Sequence, residues 1–141
     1  MADCIFCRII RGELPCGKVF EDDRVFSFLD INPINPGHTL VLPKNHYATL
    51  FEIPQEDLIA CLAASQKIAM AVYKATKSSG LNFVQNNYRE AGQLIEHVHF
   101  HLIPRFARDN FLKSWSGEPC PQAELSKILE KIRVELVNSE S

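Results

Sequence analysis

The sequence predicts an α+β domain in which two helices pack on a mostly antiparallel sheet of five strands. Segments rich in β-branched and aromatic residues, some with strict apolar alternation, recur between turn residues, as strands do. Two longer segments carry apolar residues at helical spacing. The short connections within strand pairs favour antiparallel neighbours. The length of 141 residues suits one domain spanning 1–141.

Five segments are predicted as strands because of their composition and of the turn residues that bound them. They are residues 18–21, 24–29, 38–43, 81–86 and 97–104. Residues 32–37 are rich in Pro, Asn and Gly, so we expect a loop there. The polar residues 87–93 connect the last two strands. A hairpin of this kind would bring the connecting backbone alongside the final strand.

Residues 54–79 are predicted to form the long helix. Pro54 suits a first helical position, and Gly80 is the expected residue after the helix end. The stripe expected to face the core consists of Leu58, Leu62, Ala69 and Tyr73, with Ile59 and Met70 beside them. A second helix with apolar residues at helical spacing is predicted over 121–137.

Charge and cysteine content limit the classes of function that we expect. The net charge of −2 gives no bulk electrostatic reason to expect a nucleic-acid or membrane partner. We expect no signal segment and no membrane-spanning apolar run. Five cysteines at irregular spacing do not form a disulfide pattern, which predicts a reducing, cytoplasmic compartment.

Three histidines, His97, His99 and His101, alternate with apolar residues before Pro104. In an extended chain successive side chains point to opposite faces, so the three imidazoles would share one face. Neutral imidazole is a common metal ligand. Imidazole also serves as a nucleophile or as a general acid or base. The residues of the triad alone leave both functions open.

A Cys-x-x-Cys pair, Cys4 and Cys7, stands near the N-terminus. It could be a redox centre, half of a zinc site or two unrelated thiols. The redox interpretation requires a preceding strand, for which only three residues are available. A zinc site needs two more ligands, and His38 and His46 are the histidines outside the triad. Asp30 follows an apolar run, where a carboxylate could also cap the next loop.

The triad, the stretch from Pro36 to Lys44 and the Cys-x-x-Cys pair together resemble the histidine triad (HIT) superfamily, and most of all its Hint-type branch. The resemblance implies a HIT-like fold and a homodimer. It also implies hydrolysis or transfer at the α-phosphate of a purine nucleotide, as in adenosine 5′-monophosphoramidases, through a nucleotidyl-histidine. The alternatives are a dinucleoside-polyphosphate hydrolase, or a zinc-containing nucleotide-binding protein without significant turnover.

The resemblance also assigns roles to individual residues. His99 would attack phosphorus, while imidazolium character on His101, Asn86 and backbone donors at Gly92 would offset phosphoryl charge. No metal is needed for that step. Asp30 would bind the ribose hydroxyls, and His38 occupies the place of another active-site histidine. The apolar positions around the base would be Phe6, Ile9, Leu14, Phe28 and Ile31.

Some family members carry a structural zinc ion, and the corresponding ligands here are Cys4, Cys7, His46 and His97. One difference from the family lies beside the triad, where Leu94 replaces a common Ser or Thr whose hydroxyl faces the phosphate or the leaving group. Another is Glu96, at a place where an apolar or aromatic residue is common. Trp115 lies in a tail that the resemblance directs toward the partner's active site.

Overall fold

The computed structural model describes residues 4–109 and 118–139. Trp115 lies outside these residues, so its role at a subunit boundary stays a prediction. The chain divides into two compact units, residues 1–109 and residues 110–141. The first unit carries every residue for which the sequence predicts a catalytic, binding or metal-ligating role. The single domain expected over 1–141 stays a prediction.

The first unit is a five-stranded sheet with two helices. In chain order its elements are α1 (Ile5–Ile10), β1 (Lys18–Glu21), β2 (Val25–Leu29), β3 (Thr39–Pro43), α2 (Gln55–Thr76), β4 (Gly80–Gln85), a 3-10 turn (Arg89–Ala91) and β5 (Phe100–Arg105). The strand order is β1-β2-β3-β5-β4, and every neighbouring pair is antiparallel. The predicted α+β class and the antiparallel five-stranded sheet are therefore confirmed.

The second unit contains α3 (Gln122–Ser139), which agrees closely with the helix predicted over 121–137. The described apolar residues of the predicted stripe, Leu125, Ile128, Leu129 and Ile132, follow one another at helical spacing.

The two faces of the sheet pack against different helices. Val25, Val41, Phe100 and Leu102 form a core with α2. On the other face, Phe26, Phe28, Leu40 and Leu42 pack with Phe6 from α1. Because Leu40 lies opposite His101 in the β3–β5 register, His101 belongs to the α1 side. The register therefore separates the α2 core from the side on which the triad lies.

The buried face of α2 differs from the predicted stripe. The apolar and small residues that it buries are Cys61, Ala64, Ser65, Ile68 and Val72. The larger Leu62, Tyr73, Ile59 and Met70 are exposed. Small side chains let the helix approach the sheet closely, so the face with the largest apolar residues is not the buried one. The predicted core stripe was wrong for these four residues.

The C-terminal end of α2 also differs from the prediction. The left-handed residue after the helix is Lys77, with φ 54°, and Gly80 already begins β4. By length and composition alone α2 could cross a membrane, since its most apolar window has a mean hydropathy of 1.3. Its packing against the sheet is that of a helix in a domain core.

Helix α1 was not predicted, because six residues are too few for a periodic pattern to be visible. Its N-terminal cap is Cys4, whose Sγ accepts a hydrogen bond from the Cys7 N–H at 3.4 Å. Both thiols of the Cys-x-x-Cys pair therefore sit at the first turn of a helix. Phe6, on the same turn, is buried against Phe28.

Candidate active site and metal centre

The three histidines of the triad lie on the α1 side of the sheet, as the alternation predicted. Only His101 belongs to β5, because the strand begins at Phe100, and His97, in a bend, and His99 precede it outside the strand. The ring centroids of His99 and His101 are 4.8 Å apart. Phe6 meets His99 edge-on at 5.1 Å and His97 at 6.0 Å.

The hydrogen bond made by His99 determines which ring nitrogen is free. Its Nδ1 lies 2.7 Å from the carbonyl oxygen of His97. A carbonyl can only accept, so Nδ1 carries the proton and Nε2 keeps its lone pair. Burial lowers the pKa of His99 below its usual value, so the ring is neutral at pH 7. A neutral imidazole with a free Nε2 is the form that can act as a nucleophile.

His101 is also oriented by a hydrogen bond, which it accepts from His38. The Ile34 N–H donates to Nδ1 of His38 at 3.1 Å, so His38 carries its proton on Nε2. That Nε2–H donates to Nδ1 of His101 at 2.9 Å. The neutral ring of His101 consequently has its proton on Nε2. Asp30 is close to the same pair, with Oδ2 3.6 Å from Nε2 of His38.

Burial, with the neighbouring rings of His99 and His38, lowers the pKa of His101 to about 4. The imidazolium character expected of His101 is therefore absent from the ligand-free site at pH 7. Asp30 also has the capping contact expected as its alternative role, because its Oδ1 accepts the Asn32 N–H at 2.8 Å. Its second oxygen is the one that faces the histidines.

Four side chains converge at the N-terminal end of the triad. Sγ of Cys4 and Sγ of Cys7 lie 3.5 Å and 3.6 Å from Nδ1 of His97. Nδ1 of His46 lies 3.4 Å from Sγ of Cys7. All four ligand atoms are within 4.8 Å of one another. Nε2 of His97 donates to the Pro43 carbonyl at 2.8 Å, which directs the Nδ1 lone pair toward the thiols.

The donor set and its spacing fit a zinc ion. With Zn–S near 2.3 Å and Zn–N near 2.05 Å, a tetrahedral ion separates its sulfur and nitrogen ligands by about 3.5 Å. The S···N distances of 3.4–3.6 Å match that value. Four protein ligands fill the tetrahedron, so the site has the composition of a structural centre rather than of a catalytic one.

The apolar positions expected around a base are only partly brought together. Phe6 and Phe28 are buried and meet edge-on at 5.4 Å, and Ile9 packs against their cluster. Leu14 is half-buried outside that cluster. Ile31 is 85% exposed, so the apolar wall in this structure consists of Phe6, Phe28 and Ile9.

Asn86 directly follows β4, and Gly92 lies beside it although it stands near the other end of the connection. A Cβ on Gly92 would stand 3.6 Å from Nδ2 of Asn86, and Gly92 has a φ of 97°. The Gly92 N–H, expected as a phosphate donor, already donates to the Arg89 carbonyl at 2.9 Å. Leu94, which replaces the common hydroxyl residue, is 72% exposed.

The sequence of this chain matches the model of the HIT domain over residues 11–108. The chain belongs to the HIT domain family. An adenylylsulfatase of Arabidopsis thaliana is 43% identical over 96% of this chain and 66% of its own length. The adenosine 5′-monophosphoramidase of Candida albicans is 40% identical over 96% of this chain and 92% of its own length.

Solved structures agree with this HIT fold. A Streptococcus mutans protein superposes with a TM-score of 0.91 at 43% identity, covering 96% of this chain and 87% of that one. A zinc-bound histidine triad protein of Mycobacterium smegmatis superposes with a TM-score of 0.74 at 32% identity, covering 99% of both chains. The Cys4, Cys7, His46 and His97 cluster of this HIT domain is consistent with a zinc site.

Gln93 and Tyr47 stabilise the backbone around the site of this HIT domain. The sequence assigned no role to either residue. Gln93 is 4% exposed, and its side chain joins three backbone segments. Tyr47 accepts the Val98 N–H at its carbonyl oxygen, at 2.7 Å. No periodicity or motif distinguishes either residue, because their importance lies in backbone contacts with distant segments.

Proposed function

We propose that this HIT-family nucleotide hydrolase cleaves purine nucleoside phosphoramidates at the α-phosphorus through a nucleotidylated His99. The observation that carries this proposal is the Nδ1–H bond of His99 to the His97 carbonyl, which frees Nε2 in a neutral, buried ring. The similarity to the Candida albicans adenosine 5′-monophosphoramidase supports the choice of leaving group.

In the first step, the lone pair on Nε2 of His99 attacks the α-phosphorus while the bond from phosphorus to the leaving nitrogen breaks. The leaving amine keeps that electron pair and gains a proton. His101 presents its Nε2–H on the same side of the sheet and can donate to a phosphoryl oxygen or to the leaving group. In the second step, water attacks the phosphorus and gives a proton to His101, while the bond from phosphorus to Nε2 of His99 breaks and its electron pair returns to the ring. This step releases the nucleoside monophosphate and restores His99.

The charge of a bound phosphate accounts for the acid role of His101. Its pKa is lowered to about 4 in the ligand-free site. A phosphate anion close to the ring favours the protonated form and raises that pKa. His101 can therefore acquire a proton when a nucleotide binds and release it to the departing amine.

The nucleoside is proposed to bind between Asp30 and the wall of Phe6, Phe28 and Ile9. One oxygen of Asp30 is held by the Asn32 N–H, which leaves the other to accept ribose hydroxyls near His38. The rings of Phe6 and Phe28, which meet edge-on, would provide apolar surface for a planar base. The choice of a purine base rests on the relatives alone.

A zinc ion bound by Cys4, Cys7, His46 and His97 is proposed as a structural component, one per chain. It would join α1 and the loop after β3 to the chain that carries the triad. The ion would supply no chemistry to the phosphoryl transfer. What supports it is the tetrahedral spacing of the four ligand atoms and their thiolate and imidazole chemistry.

A homodimer is also proposed. β4 is an edge strand, and Phe83 on it lines an apolar groove with Ile59, Leu62 and Ala69 of α2. A second copy of the chain could cover these exposed side chains. Sedimentation at micromolar concentration is expected to give a dimer, and Leu62→Arg should give a monomer. A monomeric parent would remove this part of the proposal.

The function is tested by substitution of the nucleophile. His99→Ala should abolish turnover of adenosine 5′-monophosphoramidate and the adenylyl adduct seen by intact mass spectrometry, while AMP binding persists. Turnover at the native rate would overturn the mechanism. A parent that binds AMP without any turnover would instead be a nucleotide-binding protein.

The leaving group is tested by substrate comparison with the unmodified protein. The kcat/KM for the phosphoramidate should exceed those for a diadenosine polyphosphate and for adenylyl sulfate. The reverse order for the polyphosphate would establish a dinucleoside-polyphosphate hydrolase. Adenylyl sulfate is included because the Arabidopsis thaliana relative is an adenylylsulfatase.

A further inference from the structure

Gln93 is a buried amide whose hydrogen bonds fix its orientation. Its Oε1 accepts the Tyr88 N–H at 2.7 Å. Its Nε2 donates to the carbonyl oxygens of Ala48 at 2.6 Å and of Ile95 at 3.1 Å. Because carbonyl oxygens can only accept, both protons of the amide are used and the opposite orientation is excluded. One side chain therefore links three separate stretches of backbone.

The Ile95 carbonyl connects this amide to the triad. It also accepts the His97 N–H at 2.9 Å. The carbonyl of the same His97 accepts the Nδ1–H of His99 at 2.7 Å. Gln93 is thus joined to the ring of His99 through the Ile95 carbonyl and the backbone of His97. This backbone is the acceptor that keeps Nε2 of His99 unprotonated.

The Ala48 carbonyl supplies a second connection. Ala48 follows Tyr47, whose carbonyl accepts the Val98 N–H at 2.7 Å. Val98 lies between His97 and His99. Gln93 therefore fixes the spacing between the segment after His46 and the chain before β5, because its amide donates to Ala48 in the first and to Ile95 in the second. Neither segment belongs to the regular ladder of the sheet, so side-chain bonds must fix their spacing.

The third hydrogen bond, from the Tyr88 N–H to Oε1 of Gln93, stabilises a backbone conformation of high energy. Tyr88 has φ 71° and ψ 163°, a region that residues other than glycine rarely adopt. Its N–H is bound by the Gln93 side chain, and its carbonyl accepts the Gln93 N–H at 3.0 Å. Gln93 consequently closes the turn that ends at Gly92, beside Asn86.

We infer that Gln93 is a positioning residue for the nucleophile: its amide fixes the His97 backbone that orients the ring of His99, and the turn that carries Gly92. The inference rests on the proposed function, since it concerns the same reaction. In the described residues the side-chain hydrogen bonds of Gln93 go to Tyr88, Ala48 and Ile95, and none goes to Asp30 or to the base wall. Its loss should therefore change the chemical step and leave nucleotide binding largely intact.

Two variants of nearly the same size test this inference. Gln93→Glu replaces the donor that faces two carbonyls with an acceptor, and Gln93→Met removes all three bonds while keeping the volume. Each should lower kcat for the phosphoramidate by about 10- to 100-fold, as expected from a misplaced nucleophile. The Kd for AMP should change by less than about threefold, as expected for a residue that contributes little to the binding energy. Gln55→Glu makes the same chemical change at an exposed position of α2 and should change neither quantity.

The ring of His99 gives a readout that loss of stability alone would not change. Nitrogen NMR of the folded parent should show Nδ1 protonated and Nε2 free, and the Gln93 variants should show a mixture of both tautomers. An unchanged kcat in either variant, or a kcat loss with an unaltered tautomer, would overturn the inference. So would a rise in the AMP Kd equal to the loss in kcat.

Two results separate this inference from the proposed function. If the parent has no turnover, the proposed function fails, and the His99 tautomer still decides whether Gln93 orients the ring. If neither variant folds, proton exchange in the unmodified protein decides. The Gln93 side-chain amide protons should exchange slowly, and rapid exchange would overturn the inference.

Discussion

Nε2 of His38 lies 2.9 Å from Nδ1 of His101, and the backbone sets the direction of this hydrogen bond. Because the Ile34 N–H occupies Nδ1 of His38, His38 must be the donor. His101 then has its proton on Nε2. Protonation of His101 would place two N–H groups against each other. Without a bound phosphate this contact therefore favours the neutral ring, in agreement with the lowered pKa of His101.

The first prediction concerns that contact. His38→Phe removes the donor and should lower kcat by about tenfold, because His101 is no longer held to one tautomer. His38→Gln keeps an N–H donor and should recover part of the loss. Steady-state kinetics on the three proteins, with folding checked by circular dichroism, measure the effect. Equal activity of the Phe variant and the parent would show that His101 does not depend on His38.

The second prediction concerns Gly92, whose φ of 97° strains any residue with a Cβ. Gly92→Ala should lower the free energy of unfolding by about 1–2 kcal/mol. It should also lower kcat, because relief of the strained φ would shift the turn that lies beside Asn86 and the triad. Gly80→Ala is the matched control, since no atom lies within 4 Å of its added Cβ. Urea unfolding and kinetics should separate the two variants, and similar behaviour would argue against a special conformation at Gly92.

The third prediction is the pH dependence of stability that His101 causes. Its pKa is about 4 in the folded protein and about 6.5 when unfolded. Between these values the unfolded chain binds a proton that the folded chain does not. The contribution of His101 to the free energy of unfolding is therefore fully present above about pH 6.5 and is lost as the pH drops toward 4. Because the ring is partly exposed, the loss should be about 1–2 kcal/mol rather than the full value of the shift.

Urea unfolding at several pH values tests this linkage. His101→Gln should reduce the loss of stability between about pH 6.5 and pH 4. The buried His38 and His99 also have lowered pKa values, so the variant should keep part of the pH dependence. If the parent and the variant gave parallel curves, His101 would not contribute to it.

The fourth prediction concerns the metal. Protein purified without chelator should contain about one zinc per chain, and Cys4→Ser and His46→Ala should contain little. Affinity should fall as the pH drops, because the thiols must lose their protons to bind. Cys120→Ser is the control, since Cys120 is exposed and belongs to the second unit. A parent that is free of metal and fully stable would contradict the site.

Local sequence patterns predicted much of the fold. Each strand lies within a few residues of its predicted range, because a two-residue alternation and turn-forming residues act over short stretches of chain. The same alternation placed the three histidines on one side of the sheet. For helix α2 the local pattern did not predict the buried face correctly. Its amphipathic pattern was clear, but the choice of buried face depended on how closely Ala64 and Ser65 could approach the sheet.

By itself the sequence determined the strand pattern, the shared face of the triad and the resemblance that named its residues. Only the tertiary structure decided which nitrogen carries the proton in His97 and His101, since their partners lie 54 and 63 residues away. It also brought Cys4 to within 3.5 Å of His97, across 93 residues. The role of Gln93 had no local signal for the same reason: its hydrogen bonds are made to backbone groups, which every residue type carries, and only folding determines which of them come within reach.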